Sequence, residues 1–226
     1  MNEIWQGLDW SVMTTMLARV LPALVCITLH ELAHGFVAYR LGDPTAKEAG
    51  RLTLNPIRHI DIMGLLCMVM FGFGWAKPVP VNMGRFQHPR RGMALTALAG
   101  PVTNLLIALV VAFLFGFFAV PISQSGAVDF FVEVFIQTVY LSVALAIFNI
   151  LPIPPLDGSK VLFSLLSDAA YMRLMHIERY GMIILFGILA VLNRIDANPL
   201  WAAADFVFDE FMVLANWGVA LYAMIF

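Results

Sequence analysis

The chain has 226 residues, of which 61% are hydrophobic and 12% charged, and its mean hydropathy is +0.86. These values exclude an ordinary soluble globular domain and indicate one all-α polytopic membrane domain covering 1–226, with the lipid bilayer as its surroundings. A net charge of −2 without any basic tract argues against nucleic acid as a partner.

Residues 1–10 carry Glu3 and Asp9 but no Lys or Arg, unlike the basic start of a signal peptide, so the first hydrophobic segment is expected to be retained. Residues 11–40 read as one helix, which at ~1.5 Å per residue exceeds a ~30 Å hydrocarbon layer. Pro22 is expected to kink it, and Gly42-Asp43-Pro44 ends it. Cys26 and Cys67 lie in apolar surroundings and read as packing groups rather than a disulfide. Cys26 also stands four residues before His30, and a ligand role is the lesser alternative. The apolar stretch 62–74 would be only ~20 Å long as a helix and contains Gly64, Gly72 and Gly74, so it reads as a re-entrant or interfacial segment.

In 75–82, Pro78 and Pro80 remove two backbone donors from one edge, which suggests a short edge strand or hairpin. Residues 93–119 and 128–151 are two spans. The second runs into Asn149-Ile-Leu-Pro-Ile-Pro-Pro-Leu-Asp-Gly158, whose prolines cannot continue a helix. Broken backbone at membrane depth is tolerated where it is buried in protein or lines a wet cavity, which makes this break a site candidate. A short helix over 159–167, a span over 177–193 and a last span over 200–224 complete about five transmembrane helices. The core is 11–167 and the C-terminal helical pair is 177–224.

The chemistry centres on Thr28-Leu-His-Glu-Leu-Ala-His-Gly35. On a helix His30 and His34 lie one above the other and can grip one zinc ion, while Glu31 can reach a water on that metal as general base. With five His and six Glu in the chain, a chance HExxH is expected on the order of a few times per thousand such chains. Buried histidines satisfied by neighbouring helices are the bland alternative. Three ionisable groups within five residues of hydrocarbon weigh against it.

A catalytic zinc usually takes three protein ligands, and HELAH supplies two. The candidates for the third are His59, Asp61, His88, His176 and Asp157. If 62–74 does not cross the bilayer, Asp157 lies on the same side as the HELAH end of the first helix. On that topology the site-side loops hold Arg40, Lys47, Arg51, Arg58, Lys77, Arg85, Arg90, Arg91, Lys160, Arg173 and Arg179, against Arg194 alone opposite. The positive-inside rule then makes the site side cytoplasmic, with the N-terminus outside, the C-terminus inside and Asp157 as third ligand. Val37 and Arg40 stand where a metzincin would need Gly and His.

The chain resembles the site-2 protease family of intramembrane zinc metalloproteases, in the compact bacterial form without PDZ or CBS domains. The resemblance rests on His30-Glu-Leu-Ala-His34, on Gly100-Pro-Val-Thr-Asn104 as the family's GxxxN, and on Asn149 to Gly158 as its NxxPxPxLDG; LTLNPIRHIDIMG and FGFGWAKPVPVN also resemble this subgroup. It implies one Zn2+ per chain on His30, His34 and Asp157, Glu31 as catalytic base, and Asn104 and Asn149 as polar groups near the substrate. The substrate would be a transmembrane protein cut within or beside its span, in the cytoplasmic membrane.

Asn149 is expected to stabilise the oxyanion, with helix-end capping as the alternative. Gly100 and Asn104 are expected to bind exposed substrate backbone, with helix packing as the alternative. The strand carrying Val79 and Val81 is expected to pair with the unwound substrate. A non-catalytic metal-binding scaffold or a metal transporter is the rival class.

Overall fold

The computed structural model describes residues 10–71, 75–123, 128–167, 170–171, 174, 178–194 and 199–226. The helices are α1 (Trp10–Arg40), α2 (Thr45–Glu48), α3 (Ile62–Phe71), α4 (Pro89–Ser123), α5 (Val128–Ile150), α6 (Asp157–Ser164), α7 (Gly181–Arg194) and α8 (Pro199–Ile225). Four of them, α1, α4, α5 and α8, are long and apolar enough to cross a membrane. Their outer faces expose large apolar residues such as Leu17, Val110, Phe131 and Phe206, as a lipid-facing surface does. The fifth expected span, near 177–193, corresponds to α7, which has 14 residues and is ~21 Å long. α1 runs unbroken through Pro22, whose ring is fully buried.

Helices α4 and α5 form the centre, where Ala108, Ala112, Val139 and Val143 are all 0% exposed. Both α1 and α8 pack on this pair. Small residues let α8 approach α4 closely: a Cβ on Gly116 would collide with the Ala215 carbonyl, and one on Gly218 with the Phe113 carbonyl. Gly218→Ala must push the two helices apart. We expect it to lower stability by about 1–3 kcal/mol, the usual range for overpacking, visible as a lower melting temperature in detergent.

α1 is antiparallel to α4, with His34 beside Thr96 and His30 beside Asn104. α8 runs in the same sense as α4. Its Val207, Phe208, Phe211 and Met212 lie on the central core, Ala215 and Gly218 on Phe113 to Phe117, and Tyr222 on Phe117. The C-terminal end of α8 therefore lies at the same face as the Trp10 end of α1, which corrects the expected placement of the C-terminus on the HELAH side. The reason is the length of α7. A helix of ~21 Å falls short of the ~30 Å hydrocarbon layer, so the described helices make four crossings and not five.

Segment 62–74 does not cross. The bridge Ile60–Ala76 joins its two flanks, and a Cβ on Gly64 would strike the Trp75 carbonyl, so the chain returns to where it entered. With ten residues, α3 is ~15 Å long. The strand expected over 76–82 is reduced, among the described residues, to that single antiparallel bridge, with Lys77 N–H donating to the His59 carbonyl at 2.9 Å.

Beyond Lys77 the prolines lack donors, and other partners hold the strap. Arg51 donates to the carbonyls of Lys77 and Pro78 at 2.5 and 3.3 Å, and Asn82 N–H donates to Asp43 Oδ2 at 2.6 Å. Burial would raise the pKa of Asp43, but hydrogen bonds from Thr45 and the Asn82 amide hold it below the usual carboxylate range. Its anionic form is thus a fixed anchor for the strap.

Candidate metal centre

Three helices contribute to one cluster. On α1, His30 and His34 are one turn apart, with ring centroids 4.6 Å apart and planes at 86°, and both are buried. Helix α4 faces them with residues spaced by four. The Thr96 carbonyl lies 2.7 Å from His34 Nδ1, and the Asn104 amide nitrogen lies 3.1 Å from His30 Nδ1. Between them is Gly100, where a Cβ would stand 2.5 Å from His30 Nε2 and 2.6 Å from His34 Cε1. Only glycine leaves room for both imidazoles.

The first residue of α6 supplies the carboxylate. Leu151–Leu156 turns the chain after α5, with Leu156 N–H bonded to the Ile153 carbonyl at 2.9 Å, and Ser159 Oγ donates to the Leu156 carbonyl at 2.6 Å. This brings Asp157 Oδ2 to 3.2 Å from His30 Nε2 and 3.1 Å from His34 Nε2. Burial opposes its ionisation, but the two histidines and Lys160 hold its pKa well below the usual carboxylate range. Lys160 Nζ is 3.6 Å from the other oxygen, Oδ1.

His30, His34 and Asp157 each present a donor atom, all within 4.8 Å of one another. Tetrahedral bonds of ~2.0–2.1 Å require ligand atoms ~3.3 Å apart, close to the two separations between Asp157 and the histidines, and two imidazoles with one carboxylate is an established donor set for catalytic zinc. The residues therefore fit zinc.

Glu31 points to the strap, where Val79 N–H donates to its Oε2 at 3.0 Å. Val79 is itself buried. Asn149 donates its side-chain amide to the Leu145 carbonyl at 3.0 Å, a bond within its own helix. Among the other candidate ligands, His59 Nε2 lies 2.9 Å from the Thr53 carbonyl and Asp61 caps the Gly64 N–H at 2.8 Å. His88 is exposed, and His176 lies outside the described residues. Cys26 Sγ, 3.1 Å from Ser142 Oγ, packs α1 on α5.

Residues 116–192 match the sequence profile of Peptidase family M50. YwhC of Bacillus subtilis (strain 168), a candidate zinc metalloprotease by its name, is 42% identical over 175 residues, covering 73% of this chain and 76% of YwhC. The chain belongs to peptidase family M50, the site-2 protease family. Rip2 of Mycolicibacterium smegmatis, named in the same terms, is 32% identical over 178 residues, covering 76% of this chain and 66% of Rip2. Rip2 of Mycobacterium tuberculosis (strain H37Rv) is 33% identical over 145 residues, 62% of this chain and 53% of that protein. The chain thus spans from about three quarters to about half of these relatives. No solved structure matches it.

Three features of this M50 peptidase escaped the sequence. These are the Thr96 carbonyl, Lys160 beside Asp157, and the Val79 amide on Glu31. The first had a signal in the four-residue spacing Thr96, Gly100, Asn104, and the second in the i, i+3 spacing of Asp157 and Lys160. A backbone amide leaves none.

Proposed function

We propose that this M50 peptidase hydrolyses peptide bonds within or beside the transmembrane segment of another membrane protein, using one Zn2+ held by His30, His34 and Asp157. The observation that carries the reading is the convergence of these three donors, with Glu31 adjoining, inside a bundle of membrane-spanning helices. A zinc ion there supplies Lewis-acid polarisation and lowers the pKa of water toward ~7. The Glu31 carboxylate would accept one proton from the attacking water on the oxygen that Val79 leaves free, Oε1, and return it to the leaving amine. Val79 N–H fixes the direction of that carboxylate. Lys160 neutralises the Asp157 oxygen that faces away from the histidines.

The strap at 75–82 adjoins the catalytic carboxylate, which supports pairing of an unwound substrate with it by strand addition. Val81→Pro removes one strap donor while leaving the Val79–Glu31 bond in place. Cleavage is expected to fall about two- to tenfold with zinc content unchanged, the cost of a lost backbone pair; undiminished cleavage would count against strap pairing. Arg40, Lys47, Arg51, Arg58, Arg85, Arg90 and Arg91 at the site end of the bundle support a cytoplasmic orientation for the zinc.

The reading is tested by co-expressing wild type or Glu31→Gln with single-span reporter proteins and mapping the product ends by mass spectrometry. Chelator-sensitive cuts within or next to the span, absent with Glu31→Gln, are expected. Cuts confined to soluble loops would contradict the intramembrane reading.

A further inference from the structure

Asn104 is 0% exposed and touches a metal-site histidine, so its place in the bundle leaves no free surface for a substrate. Its Nδ2 stands 3.1 Å from His30 Nδ1. With the amide nitrogen facing it, Nδ1 would have to accept, which would put the ring proton on Nε2, toward Asp157 Oδ2 3.2 Å away. A ring in that state cannot use Nε2 as a ligand. The metal-binding tautomer carries its proton on Nδ1 and needs an acceptor there, as ligating imidazoles generally do.

The same amide holds such an acceptor. Asn104 Oδ1 is buried without a hydrogen-bond partner, and a half-turn of the amide exchanges its nitrogen and oxygen with almost no change of shape. His34 already has an acceptor at the equivalent place, because the Thr96 carbonyl is 2.7 Å from its Nδ1. One face of α4 thus addresses both rings, through residue 96 for His34 and residue 104 for His30.

We infer that Asn104 is a positioning residue for the metal site: in the zinc-loaded protein its Oδ1 accepts the His30 Nδ1 proton and holds the ring in the tautomer that frees Nε2. The inference rests on the proposed zinc site. It differs from the expectation that Asn104 binds substrate backbone.

The test compares zinc affinity, by competition with a chromophoric chelator, in the purified full chain and in Asn104→Leu and Asn104→Asp. Leucine has the same branching, somewhat more bulk and no acceptor, and its zinc binding is expected to weaken ~10–100-fold, the usual cost of losing such a partner. Aspartate accepts the same proton and is expected to bind zinc at least as tightly as wild type. The visible spectrum of the cobalt-loaded leucine variant is expected to change, and that of the aspartate variant to stay close to wild type.

Wild-type zinc affinity in Asn104→Leu overturns the inference, and if cleavage alone falls, Asn104 acts on substrate instead. Should the leucine variant not fold, Asn104→Asp decides: binding tenfold weaker than wild type overturns the inference. Absence of zinc from the wild-type protein would overturn the zinc reading itself, a distinct outcome.

Discussion

Gly100→Ala is expected to lose zinc by at least about 100-fold although every proposed ligand is retained. The added Cβ would lie 2.5 Å from His30 Nε2 and Cε1 and 2.6 Å from His34 Cε1, where carbon contacts settle near ~3.5–4.0 Å. Either the rings move by about an ångström or α4 retreats from α1. Both changes spoil the site. The rings leave the place where they share Asp157, or Thr96 and Asn104 leave their Nδ1 atoms.

Gly187→Ala is the control, since a Cβ there meets nothing within 4 Å. It should keep zinc and melt no lower than wild type, because alanine favours a helix over glycine by about 1 kcal/mol. Zinc per chain and chelator competition on both variants measure the difference. Full zinc affinity in Gly100→Ala would mean that α4 does not seat the histidines.

The donor set was legible because its spacing is chemical as well as helical. His30 and His34 at i and i+4 can face one metal, and Asp157 follows a proline break that no helix can traverse. The segment expected to be re-entrant or interfacial was legible from its short length and its glycines. Gly100 and Asn104 were legible as a pair on one face, but spacing cannot say what that face meets; in the fold it meets imidazoles.

The strap illustrates a different gap. Its prolines correctly argued against a helix, yet they also leave too few donors for a ladder, so side chains distant in sequence, Arg51 and Asp43, hold it. The direction of α8 was missed because α7 has a span's composition without its length. Only packing of Phe208, Ala215 and Tyr222 along α4 and α5 fixes the sense of the last helix.

Glu31→Gln and Asp157→Ala should separate chemistry from metal holding. Glutamine keeps the shape of the side chain and an oxygen to accept Val79 N–H, so the contact seen at 3.0 Å survives. It cannot take a proton from water. Cleavage is expected to fall by ~10²–10⁴-fold, the range for losing a general base, with zinc near one per chain. Asp157→Ala leaves His30 and His34 as the two remaining members of the triad, and two neutral imidazoles fall short of the three ligands that catalytic zinc sites employ. It also strands Lys160, now 3.6 Å from the Asp157 carboxylate, without its counter-charge.

Zinc is therefore expected to be lost from Asp157→Ala and kept by Glu31→Gln, with cleavage reduced by at least ~10²-fold in both. Metal content by mass spectrometry, beside cleavage of the same reporter, reads both quantities. Full zinc in Asp157→Ala would place the third ligand outside the described cluster. Retained cleavage in Glu31→Gln would assign the base to another group, and the Val79 contact would then serve only to fasten the strap to α1.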